Sequence, residues 1–251
     1  MISIKRTACW VVAGALAPAL LAAPAPGQQM QHGDGDQMQH GAEWYGAVLI
    51  DQLEYRVQDD DDVIAWDGQA WYGGDYNKIW LETEGEQIRS GELEQAEVQL
   101  LYSRLLGYFW DVQAGVRYDF RPDPSRAYAV LGLQGLTPGL FEVDLKGFLS
   151  EEGELLGRFE AEYDLRITQR LILQPTIEVE LSAEDISELG IGQGISTIEP
   201  GLRLRYEITR KFAPYIGVNW ERALGQTADF AREEGEGVSN VSFLVGVRFW
   251  F

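Results

Sequence analysis

The feature that most constrains this chain is a period of two that starts near Glu43 and runs to the last residue. From Val238 to Phe251 one parity reads Ser239, Val241, Phe243, Val245, Val247, Phe249, Phe251, and the other Asn240, Ser242, Leu244, Gly246, Arg248, Trp250. Successive side chains on a strand point to opposite faces, so this segment is apolar on one face and polar or small on the other. The pattern recurs upstream. Leu202, Leu204, Tyr206 and Ile208 oppose Arg203, Arg205 and Glu207, and Phe159, Ala161, Tyr163 and Leu165 oppose Arg158, Glu160, Glu162 and Asp164. Trp110, Val112, Ala114, Val116 and Tyr118 oppose Asp111, Gln113, Arg117 and Asp119.

Twelve candidate strands follow: 44–57, 63–73, 76–87, 92–105, 108–120, 126–137, 139–150, 154–167, 169–183, 197–209, 211–224 and 238–251. The first is irregular, with Asp51 on its apolar parity, and the second is no cleaner. Short connections such as Gly73–Asp75, Leu106–Gly107, Thr137–Pro138 and Thr209–Arg210 alternate with longer or more acidic ones: Asp59–Asp62, Arg121–Ser125, Glu184–Ser196 and Gly225–Gly237. An even strand count, alternating loop lengths and a terminal aromatic describe an all-β chain, a transmembrane antiparallel up-and-down β-barrel. About ten tilted residues cross an apolar band of ~25 Å, and these strands supply them. Trp44, Tyr45, Tyr72, Tyr76, Tyr108, Trp220 and Trp250 fall near strand ends, where an interfacial girdle would sit. Pro175, Pro200 and Pro214 fall inside predicted strands, so bulges or strand ends must absorb them.

Alternation does not separate inside from outside, and a soluble β-sandwich or lipocalin-like barrel would turn the apolar face inward. Two features favour lipid: the polar parity carries both charge signs over many strands, and the chain ends Phe-Trp-Phe.

Before the alternation lie two other kinds of sequence. Lys5 and Arg6, the apolar run Trp10–Leu21 and the small residues Ala22-Ala23-Pro24-Ala25 read as a secretory signal peptide over residues 1–25. Cys9, the single cysteine, lies within it, which excludes an internal disulfide framework. Without Lys5 and Arg6 the formal charge falls from −20 to −22, a balance that repels nucleic acid. Residues 26–42, PGQQMQHGDGDQMQHGA, have no apolar periodicity and read as a flexible tail. MQHG occurs twice, so Met30, His32, Met38 and His40 fall within eleven residues and include every histidine of the chain. Thioether suits Cu(I), and imidazole suits Cu(I) or Cu(II). In an extended segment residues i and i+2 share a side, giving two sulfur–nitrogen pairs. Asp34 and Asp36 could add oxygen ligands for Cu(II). The bland reading is a low-complexity linker.

Several stretches resemble the copper resistance protein B family of bacterial outer-membrane proteins: AWYGGDYNKIWLETEGE (70–86), YDFRPDPSRAYAVLGLQGL (118–136), GLRLRYEITRKFAPYIGVNWER (201–222) and TADFAR (227–232). The resemblance covers the span from Glu43 to the C-terminus. It implies an outer-membrane barrel acting in copper tolerance, copper ions and lipid as partners, a periplasmic multicopper oxidase as a further partner, and no enzymatic activity. The family's N-terminal segment is often longer and richer in Met and His. Both termini are expected in the periplasm and the barrel is expected to be a monomer.

The parity opposite the apolar face forms a second constellation, with Glu54, Glu82, Glu84, Glu97, Asp111, Arg117, Glu160, Glu162, Glu178, Arg203 and Arg205 as candidate lumen-lining residues. Acids outnumber bases, so the interior should attract cations. It reads either as an ion-paired network bracing the wall or as a narrow cation path or secondary copper site, and a general small-solute channel is the alternative function. Catalysis has little support: the histidines a hydrolase needs are confined to the tail, and the pairs Glu82/Glu84 and Glu160/Glu162 repeat at i, i+2 on one face.

Overall fold

The computed structural model describes residues 44–58 and 62–251. The predicted signal peptide, the tail with Met30, His32, Asp34, Asp36, Met38 and His40, and residues 59–61 of the first acidic loop lie outside the described residues. Thirteen strand segments follow in order: β1 (Tyr45–Val57), β2 (Val63–Gly73), β3 (Asn77–Ile88), β4 (Leu93–Leu105), β5 (Trp110–Arg121), β6 (Arg126–Leu136), β7 (Glu142–Ser150), β8 (Leu155–Glu162), β9 (Leu165–Arg166), β10 (Leu171–Ser182), β11 (Gly194–Tyr206), β12 (Phe212–Ala223) and β13 (Ser239–Trp250). Each pairs antiparallel with its neighbours, and β13 pairs with β1, so the sheet closes into a ring. Segments β8 and β9 both pair with β10 and form one interrupted strand, which leaves twelve staves as the alternation requires.

The sequence's inner and outer faces are resolved by burial. Phe243 is 68% exposed and Leu131 65%, whereas Glu54 is 2% and Gln113 0% exposed. A wall with its leucines and phenylalanines outside and its carboxylates inside is unstable in water, because so continuous an apolar surface needs an apolar solvent. No helix among the described residues is long and apolar enough to cross a membrane; the strands take that role. Trp44, Tyr45, Tyr72, Tyr76 and Tyr108 are all exposed at the end carrying the short turns, where a headgroup-level ring belongs.

The irregular first strand has a local cause. The β1–β2 register passes from Ile50↔Gly68 to Gln52↔Asp67, leaving Asp51 as an extra residue, and the β1–β13 register shifts at the same place. A one-residue bulge reverses parity along its strand. Asp51 therefore turns inward, where Arg248 Nε meets its carboxylate at 2.7 Å.

The three prolines are absorbed by gaps in single ladders. Tyr163 N–H donates to Pro175 O, but proline has no N–H to return, and the β8 stave breaks at Tyr163 and Asp164. The β11–β12 ladder skips from Ile198↔Arg222 to Gly201↔Asn219 around Pro200, and it ends at Arg205↔Tyr215 just before Pro214.

One expected loop is a helix. Within 225–237 the chain forms α1 (Gly225–Glu234), ended by Gly235 in the left-handed region at φ 85°, whose N–H reaches Ala231 O and Arg232 O. Thr227 Oγ1 accepts from Gly192 N–H at 2.9 Å, and Ala228 is buried, so α1 is tied to the 183–193 loop.

Candidate functional site

The lumen is built from the inward parity of all twelve staves, and its charges fall into rows. Asp67, Glu84, Glu97 and Asp119 are successive cross-strand partners on β2, β3, β4 and β5. Asp144, Glu160, Glu178 and Glu199 are successive partners on β7, β8, β10 and β11. Like charges set directly opposite one another are destabilising, so each row needs a counter-charge.

Arg158 supplies it to both. Its guanidinium lies 2.7 Å from Glu84, 3.2 Å from Glu97, 3.2 Å from Glu178 and 3.3 Å from Glu180. Its side chain is 4% exposed, and it spans from β8 to β3, β4 and β10 as a crossbar through the lumen. Arg117 binds Glu97 and Asp119, each at 2.6 Å, and lies over the Phe148 ring at 4.7 Å. A planar guanidinium can serve carboxylates at its edge while an aromatic ring covers its face. Phe148 belongs to a small apolar cluster with Leu101, Tyr128 and Val130.

A second knot surrounds Glu54. Its carboxylate accepts from Arg56 Nε at 2.9 Å, Arg203 Nε at 2.7 Å and Tyr215 OH at 3.0 Å. Arg203 also reaches Gln52 at 3.0 Å and Thr176 at 3.3 Å, and Arg56 reaches Glu86 at 2.5 Å. Lys146 joins Glu82 at 2.8 Å to Asp144 at 3.0 Å. Arg205 joins Asp164 at 2.7 Å to Gln174 at 3.0 Å, and Gln174 in turn donates to Glu162 at 2.7 Å. Lys78 stands 3.9 Å from Asp111.

Two cavities remain. The larger, about 570 Å³, is bordered by eleven carboxylates and four cationic side chains. The smaller, about 130 Å³, lies toward the long-loop end and is bordered by six glutamates, Arg56 and Arg203. Gln52, Glu84, Glu178 and Arg203 border both.

Of the residues singled out from sequence, Glu82, Glu84, Glu97, Asp111, Glu160, Glu162, Glu178 and Arg203 line the larger cavity. Glu54, Arg117 and Arg205 sit in the surrounding ion-paired wall. Sequence reasoning missed Asp51, Asp67, Glu86, Gln99 and Glu199. Asp67 shares parity with Val63, Ala65 and Gln69, and Glu199 with Arg203, so alternation carries both; Asp51 is hidden by its bulge. Every Met, His and Cys of the chain precedes residue 41, so the described lumen is an oxygen-ligand environment. Among the described residues no three His, Cys, Asp or Glu side chains converge closely enough to enclose a metal ion.

The sequence pattern that defines the family described as copper resistance protein B precursor (CopB) matches residues 44–251, the whole closed barrel. The chain belongs to the copper resistance protein B family. It is 48% identical over 204 residues to copper resistance protein B of Escherichia coli, covering 81% of this chain and 69% of that protein. It is 45% identical over 203 residues, with the same coverage, to a copper resistance protein B homolog of Pseudomonas syringae pv. tomato (strain ATCC BAA-871 / DC3000). Among solved structures the NanC porin superposes with a TM-score of 0.54 at 14% identity, covering 82% of this chain and 99% of that one. That likeness concerns the fold: a family member built as an outer-membrane-type barrel.

Proposed function

We propose that this protein acts in copper resistance at the outer membrane, without catalysis, and that it captures copper ions through Met30, His32, Met38 and His40. The observation that carries the reading is a division of ligand chemistry. The barrel from 44 to 251 offers oxygen donors and charged nitrogens only, whereas the soft thioether and imidazole donors beyond the predicted signal are confined to residues 30–40. Copper prefers the latter, and Asp34 and Asp36 complete an N,O set for Cu(II). Family membership supplies the copper setting.

Topology supports a direction for the encounter. With twelve staves, β1 begins and β13 ends at the short-turn end, where Val48 and Phe251 exchange backbone hydrogen bonds at 3.0 Å. Short turns are periplasmic in barrels of this class, and on that reading residues 30–40 meet copper on the periplasmic side. A periplasmic multicopper oxidase is the partner class that fits such a position, with the barrel itself a monomer. A Gly/Gln/Asp-rich composition such as that of residues 26–42 implies an ordering cost on binding, so modest affinity is expected, as suits a reversible carrier or reservoir.

The test is a competition titration of the mature protein in detergent against a Cu(I) chelator. H32A/H40A should weaken binding by at least about tenfold, because even groups that only orient a metal ligand are worth roughly 10–100-fold. Equal affinity in the two proteins would falsify capture by this segment. The acidic lumen favours a second reading, a cation channel with an incidental tail. Planar-bilayer conductance that ignores both copper and deletion of residues 26–42 would select it.

A further inference from the structure

We propose that the lumen is a latent cation path shut at one neck, and that Arg158 is the latch that shuts it. The inference is independent of the copper ligands proposed above.

Three observations converge. The two cavities share a border of four residues, Gln52, Glu84, Glu178 and Arg203. Polar contacts cross this neck on both sides. On one side Arg158 joins Glu84 at 2.7 Å to Glu178 at 3.2 Å. On the other Arg203 joins Gln52 at 3.0 Å to Thr176 at 3.3 Å. Contacts this short leave no room for a water between the partners.

The second observation is reach. Eight staves leave an interior that side chains fill, and sixteen leave an aqueous channel, so at twelve closure depends on which side chains extend far enough to meet. Arg158 stands on the eighth stave and Glu84 on the third, close to opposite sides of the ring. Arg158 also holds Glu97 at 3.2 Å, on the border of the larger cavity, and Glu180 at 3.3 Å, on that of the smaller. A single side chain therefore spans the neck along the barrel as well as across it.

The third is how the bar is held. Its guanidinium lies 5.9 Å from the Phe148 ring, the ring that also covers Arg117. Carboxylates at its edge and an aromatic ring at its face fix the fork in one orientation. Without it the neck keeps Glu84 and Glu178, and rings of acidic side chains select cations. The opened path is therefore cation-selective.

The experiment is single-channel recording of the full-length protein, folded in detergent and reconstituted into planar bilayers in KCl alone. Near-zero conductance is expected in the wild type. R158A should conduct at least about tenfold more, in discrete steps, because a fixed cationic bar repels the ions it blocks. A KCl gradient should show that K⁺ carries the current. R158K keeps the charge but loses the fork, so an intermediate conductance there marks the latch as a matter of reach. Arg205 pairs with Asp164 and borders neither cavity, so R205A should stay as silent as the wild type. Heat-modifiable gel mobility reports folding, and should R158A not fold, R158K alone carries the expectation. A wild type that already conducts as R158A does overturns the latch, as does a folded but silent R158A or an equal rise in R205A. The copper titration reads a different property, so either proposal can fail alone.

Discussion

Glu54 and Asp67 occupy diagonal positions on neighbouring staves: Glu54 faces Ala65 across the β1–β2 ladder, and Asp67 follows two residues later on the same inward face. One is saturated and the other bare. Glu54 takes two guanidinium groups and a phenol at 3.0 Å or less, while Asp67 faces Glu84 directly and has other carboxylates as its electrostatic neighbours. The difference teaches that this lumen is two materials. Around Glu54, Arg56, Arg203 and Tyr215 it is a wall brace, in which each charge is matched at short range. At Asp67 the same alternation of residues sets carboxylate beside carboxylate with no cationic side chain in contact.

The largest effect that could break this contrast comes from E54A. Removing one member of a buried pair strands Arg203 and Arg56, so unfolding in detergent and urea should lose about 3–5 kcal/mol. A loss below ~1 kcal/mol would mean that the brace is decoration. A double-mutant cycle between E54A and R203A sharpens the same point. Direct contact at 2.7 Å predicts a coupling of about 2 kcal/mol, and additivity would show that the two act independently. The smallest effect has the opposite sign. D67N relieves a like-charge pair with Glu84, so in chelator-treated buffer the variant should gain about 0.5–1 kcal/mol. Destabilisation by D67N would place Asp67 in the brace.

The staves were legible because a period of two survives in nearly every one of them, and because a lipid-facing wall tolerates few exceptions on its outer parity. What escaped the sequence did so for local reasons. Asp51 sits on the wrong parity until a bulge, set by pairing with β2 and β13, turns it inward. The helix α1 has a largely polar sequence, GQTADFAREE, and is held by Gly235 and by Thr227 bonding a loop distant in sequence; no periodic apolar face announced it. The inward residues could be assigned to a face, but not to partners. Arg158 meets Glu84 and Glu97 across the lumen, a matter of barrel curvature and side-chain reach that alternation does not encode. The copper reading of Met30, His32, Met38 and His40 remains a proposal from residue type and repetition, and these residues lie outside the described ones.

The pairing of β1 with β13 has a consequence for how the molecule is made. Every other ladder joins staves adjacent in the chain, so hairpins can form as they arrive, but this ring shuts only when the final twelve-residue stave finds the first. Until then two raw edges invite other chains, and non-local closures of this kind are slow. The salt link from Arg248 to the bulged Asp51 lies on that seam, one stave contributing each partner. It acts as a clasp: a register slip along the joint would part the two charges, so the finished hoop is told apart from its misaligned versions at the moment of locking.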